Sequence, residues 1–176
     1  MPAETTDPRP TFPQAMEITA QWLGLWEAGE ISDEVLADRV GELVASRDGA
    51  RGFFVVALSG DSPLLDRLPD PLILGFRASG EGVVDLTARN LAMSSAMAVQ
   101  HRRSGDEDQA ARSARVRERS TELLRRLDPQ LVKQRLETLL AAAEADSGPD
   151  QAFLERWGYD AEQRQAIAAT VLAVAE

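Results

Sequence analysis

GFFVVALSG, residues 52–60, is the stretch on which the fold turns. Phe53, Phe54, Val55 and Val56 stand in a row between two glycines, which suits a short buried strand. The same run suits a helix that Asp48 caps at its start and Gly60 closes. A strand needs others to pair with before it is stable in water. No other segment of the 176-residue chain reads as a convincing strand. Helix is therefore preferred, and with it an all-α fold.

Working outward, Phe12 to about Glu27 reads as a helix, with Phe12, Met16, Leu23 and Trp26 near one face and Gly29 beyond its end. Ser32 is a natural N-cap, and Asp33 and Glu34 suit the positive end of the helix dipole. Val35, Leu36, Val40, Leu43 and Val44 then recur at helical spacing. Asp70-Pro71 has the form of a cap followed by a first helical residue, and Asp128-Pro129 repeats it. Between them lies a long helix, about Gly82 to Arg103. Val83, Leu86, Asn90, Met93, Ser94, Met97 and His101 run along one side of it, with Val84, Ala88, Ala92 and Val99 opposite. A helix apolar nearly all round is a central one. A charged helix follows, about Glu107 to Leu127, with Val116, Ser120, Leu123 and Leu127 as its buried stripe. The DSGPD loop (146–150) precedes a short helix stopped at Gly158, and Asp160 caps the last helix. The expectation is a single compact bundle of seven to nine helices around the central helix 82–103. Residues 12–176 form one helical domain in this reading, and residues 1–11, polar and proline-rich, form a disordered arm.

Hydrophobic residues make up 44% and charged residues 27% of the chain, proportions of a soluble globular protein. The absence of cysteine excludes disulfides, thiolate nucleophiles and Cys-ligated zinc. The opening MPAETTDPRPT lacks the basic start and apolar stretch of a secretory signal. The longest apolar run, Phe53–Leu58, is too short to span a bilayer. These features predict a cytoplasmic protein with no membrane span. A net charge of −10 argues against nucleic acid as a partner. The charge is uneven, however. Residues 101–135 carry ten basic and six acidic side chains, a local surplus of four positive charges. Such a segment is a solvated helix face or a surface for an acidic partner.

Catalytic options are few. The chain has one histidine, so it holds no HExxH motif and no pair of Glu-x-x-His motifs. Ser94 and His101 lie two helical turns apart, about 10 Å along the axis, too far for a serine–histidine hydrogen bond. Gly80-x-Gly82-x-x-Asp85 lacks the third glycine of a dinucleotide fingerprint, and Glu81 and Asp85 repel phosphate there. Glu34, Asp38 and Glu42 form an acidic stripe and Asp106–Asp108 an acidic cluster, both read as solvated faces rather than cation sites. No metal ligands, catalytic residues or cofactors are assigned. NLAMSSAMAVQHRR (90–103) is read as a packing helix whose basic end reaches the surface. Its rival reading is a polar pocket lined by Asn90, Ser94, His101 and Arg102.

FLERWGYDAEQRQAIAATVLAV (153–174) is a helix–turn–helix hairpin clasped by Trp157 and Tyr159, and these aromatics make a contact patch if exposed. Its Gly-Tyr turn resembles the hydrophobic-Gly-aromatic loop of ubiquitin-associated domains over about twenty residues, without a third helix to complete that domain. The segments ARGFFVVALSGDSPL, NLAMSSAMAVQHRR and FLERWGYDAEQRQAIA together resemble a family of small, uncharacterised conserved proteins of cyanobacteria. That resemblance implies neither an activity nor a site.

The sequence therefore predicts a non-catalytic helical module that binds another protein, one with an acidic surface or a second copy of itself as a homodimer. Arg112, Arg115, Arg119 and Arg126 on the charged helix, with Trp157 and Tyr159, are the expected contact residues. The alternative is a helical small-molecule binder or enzyme built on the pocket around His101.

Overall fold

The stretch that decides the fold is helical. The computed structural model describes residues 9–175; residues 1–8, most of the expected N-terminal arm, lie outside the described residues, as does Glu176. Within them are nine helices and no strand: α1 (Phe12–Glu27), α2 (Asp33–Val44), α3 (Arg47–Ser59), α4 (Asp70–Ala78), α5 (Glu81–Arg103), α6 (Glu107–Arg126), α7 (Pro129–Ala145), α8 (Gln151–Arg156) and α9 (Ala161–Val174). No helix among the described residues is long and apolar enough to cross a membrane.

GFFVVALSG falls in α3, where burial of Phe53, Phe54, Ala57 and Leu58 follows the helical period; the sequence hides that period because Val55, on the outer side and 39% exposed, is apolar too. The helix packs on α1, α2, α5 and α6, and Gly52, Phe53, Phe54, Ala57 and Leu58 are all buried. At Gly52 the approach of α1 is so close that a Cβ would lie 2.5 Å from the Ala15 Cβ. Phe53 and Phe54 meet Phe76 of α4 with ring centroids 5.8 and 5.6 Å away, and each fully buried ring contributes about 1.5–3 kcal/mol.

The caps are mostly those the sequence advertises. The Ser32 hydroxyl accepts from the Val35 N–H, Asp128 accepts from Gln130 and Leu131, and Asp160 forms a capping box with Gln163. Two expectations are corrected. Ser46, not Asp48, caps α3, since its side chain accepts from Gly49 and Asp48 sits inside the first turn. Asp70 is likewise the first helical residue of α4 behind Pro69, and its carboxylate makes no capping bond. α5 starts at Glu81 after Gly80, whose φ of 69° is one that glycine adopts without strain.

The helices associate in two groups. α1 lies along α3, and α2 packs on α3 and α4. α5 runs along α6 and also packs on α9 and α7, while α3 reaches across to α5 and α6. α5 is thus the axis of the second group, buried over most of its circumference from Val83 and Ser94 through Val84 and Leu91 to Ala96, with Arg89, Met97 and Gln100 on an exposed side.

Candidate functional site

Helix α6 carries most of the basic segment, and much of its charge is spent inside the molecule. Arg119 is 4% exposed. Its Nη1 donates to the carbonyls of Ala57, Leu58 and Gly60 at 3.2, 3.1 and 2.7 Å, and its Nε and Nη2 grip the two oxygens of Asp66 at 3.0 and 3.1 Å. The last carbonyls of a helix have no partner within it and carry partial negative charge, so a guanidinium there satisfies both needs. Arg125 does the same for α9, donating to the carbonyls of Ala173 and Val174 at 2.8 and 3.2 Å. Arg115, exposed, reaches Asp61 and the Gly60 carbonyl at 3.3 and 3.4 Å. Arg126 is exposed, and its own carbonyl accepts from Arg77 Nε at 2.7 Å.

Two further arginines are tied down nearby. Arg103, in the last turn of α5, binds both oxygens of Asp160 and also Glu162. The Arg103 guanidinium beside Asp160 holds that carboxyl down at about 2, with the Gln163 N–H adding to the effect. Arg135 of α7 bridges Asp150 and Asp85, the latter at 2.9 Å. Burial opposes its charge, but the hydrogen bonds and charges of Asp150 and Asp85 hold its pKa above the ordinary arginine value.

The residues expected to line a pocket do not form a hydrogen-bonded set. Asn90 donates to the Leu86 carbonyl at 2.9 Å and Ser94 to the Leu91 carbonyl at 3.1 Å, both one turn back on their own helix. His101 is half-buried in the last turn of α5, and Arg102 is exposed. Of the expected contact residues, Arg112, Arg115 and Arg126 are exposed, while Arg119 is interior. Trp157 is 53% exposed, and Tyr159 is buried, which pushes its phenol up to about 12. The two aromatics thus split between surface and core.

Sequence reasoning did not find a groove of about 580 Å³ between α6 and α9, lined by Arg117, Glu118, Thr121, Glu122 and Arg125 on one side and by Ala169, Thr170 and Ala173 on the other. A signal was present: from Gln165 to Ala175 the chain has no charged residue, although part of that helix faces outward. Smaller grooves beside Arg126 and Arg135 are lined by neither His101 nor its expected companions. Among the described residues no group of three His, Asp or Glu side chains is placed to hold a metal ion.

Residues 11–174 match the model of a family described as uncharacterised conserved protein UCP020893. The chain belongs to that family. The match spans every described helix and bears on neither activity nor source organism. No curated protein matches the chain, and no solved structure does.

Proposed function

We propose that this family member is a non-catalytic helical module that binds a protein surface through α6 and the groove beside it. One observation carries the reading. The chain has 29 acidic and 19 basic side chains, so carboxylates are in excess. Arg103, Arg115, Arg119, Arg125 and Arg135 have taken acidic partners, yet among the described residues the side chains of Arg112, Arg117 and Arg126 have none. These three sit on one helix, and a carboxylate from a partner is the group that completes them. The hydroxyl and amide donors of Ser94 and Asn90 are meanwhile occupied by α5 itself, which leaves little polar chemistry around His101. The cytoplasm is the compartment in this reading.

Photo-cross-linking residues placed at Arg112 and Arg126 test it in cells of the source. The expected result is covalent capture of a protein chain from both positions and not from Arg47, an exposed control on α3. Capture should disappear when the neighbouring unpaired arginine, Arg117, is changed to Glu. Equal capture from Arg47, or none from α6, overturns the proposal.

A further inference from the structure

We infer that the occupant of the α6–α9 groove is a second copy of this chain, related to the first by a two-fold axis. The inference rests on the protein-binding reading and names its partner. After its charged first turns, α9 carries only Thr170 as a polar residue between Ala166 and Val174, so its outer face there is as uncharged as its inner one. Its inner face, with Ile167, Val171 and Val174, is covered; its outer face is not, and Leu172 is 53% exposed. Leu172 does not line the groove but stands beside it, one turn from the lining residue Ala169. Alanines there let another backbone approach closely.

Charge selects the occupant. A net charge of −10 makes copies repel in most orientations, so a self-contact has to be made where the charge is balanced. The groove meets that condition: Arg117 and Arg125 face Glu118 and Glu122 along its α6 wall. Glu122 and Arg125 pair with each other at 2.9 Å. Arg117 and Glu118, neighbours of opposite sign, have no ion-pair partner among the described residues. A wholly acidic partner is opposed by Glu118, and a wholly basic one by Arg117. A face bearing one of each complements itself about a two-fold axis, with Arg117 of each copy against Glu118 of the other. The extent also fits. A helix of the length of α6 is about 30 Å long, and two helices side by side are about 20 Å wide. α9, with 14 residues, is only about 21 Å long, so the footprint is about 500 Å² per copy, or about 1,000 Å² in all, the size of a weak, transient contact. A weak, reversible dimer follows.

Sedimentation velocity on the full chain, from micromolar to millimolar concentration, measures it. The wild-type chain should show a concentration-dependent monomer–dimer equilibrium. Arg117→Glu and Glu118→Arg should each weaken dimerisation about tenfold, because each turns two reciprocal pairs repulsive. Mixing these two variants should restore association, as should the double swap R117E/E118R in one chain. Leu172→Asp should abolish it, with circular dichroism confirming that each variant is folded. A wild-type chain that stays monomeric, single swaps that dimerise as wild type does, or mixing that restores nothing overturns the inference. A monomer that still gives the Arg112 and Arg126 cross-links overturns the second copy alone. Loss of dimer and cross-links together overturns the binding module as well.

Discussion

Replacing Arg119 tests how far α6 is an internal strut. In Arg119→Ala the buried carbonyls of Ala57 and Leu58 lose their side-chain donor, while that of Gly60 keeps the longer bond from Arg115 at 3.4 Å. A buried carbonyl stripped of its partner costs about 1–3 kcal/mol, and water entering the vacated space recovers part of that. Asp66 is 52% exposed, so it regains water and its ion pair adds less than about 1 kcal/mol. The expected loss is about 3–4 kcal/mol, a fall in Tm of roughly 10 °C for a chain of this length. Arg119→Met keeps most of the volume and should lose nearly as much, which separates hydrogen bonding from packing. Arg115→Ala, one turn away with an exposed side chain, should change stability by less than about 0.5 kcal/mol. Urea unfolding monitored by tryptophan fluorescence and by circular dichroism gives these differences. A loss below about 1 kcal/mol for Arg119→Ala, or equal losses at 115 and 119, would refute the strut.

The fully buried Ser120 hydroxyl has no hydrogen-bond partner among the described residues, so Ser120→Ala should raise stability by about 1 kcal/mol; a fall in Tm shows that the hydroxyl is satisfied. Tyr159 is the single tyrosine, so phenolate absorbance reports on it alone. The folded protein should titrate near 12, and its stability should hold to about pH 10 and fall as the pH rises towards 12, because only the unfolded chain ionises readily in that window. Titration of the folded protein at the ordinary tyrosine value refutes the burial argument. Asp160 is depressed to about 2, so its stabilising contribution is complete above about pH 4 and is lost as the pH falls towards 2. Asp160→Asn should flatten the acid limb, and salt should weaken the effect because the pair with Arg103 is solvent-exposed; an unchanged limb counts against it.

What was legible from the sequence was local. Ser32, Asp128 and Asp160 declare their helices because a cap acts within three residues of itself. α3 was legible through an argument from exclusion, since its apolar run carries no period and only the want of partner strands favoured helix. Asp48 and Asp70 misled because a carboxylate next to a helix start serves equally as cap or as first-turn charge. In the sequence Arg119 is indistinguishable from its exposed neighbours, because nothing in a charged helix marks which arginine faces inward. Its partners lie 53 to 62 residues away, and the pairing of Arg135 with Asp85 spans 50. The α6–α9 groove left only a trace, the run without charge that ends α9.

The division of the helices into two groups has a consequence for the order in which the molecule comes apart. α1 to α4 make their main contacts with near neighbours in the chain, and so do α5 and α6. Such local pairs close short loops and form early. The joint between the groups, made by α3 against α5 and α6 and by Arg119 reaching back over α3, closes longer loops and should form later. If the joint is the later-formed contact, hydrogen exchange should find amides at the α3 C-terminus opening ahead of those in the middle of α5. The ionic plug that completes the helix end is also the latch between two units of folding.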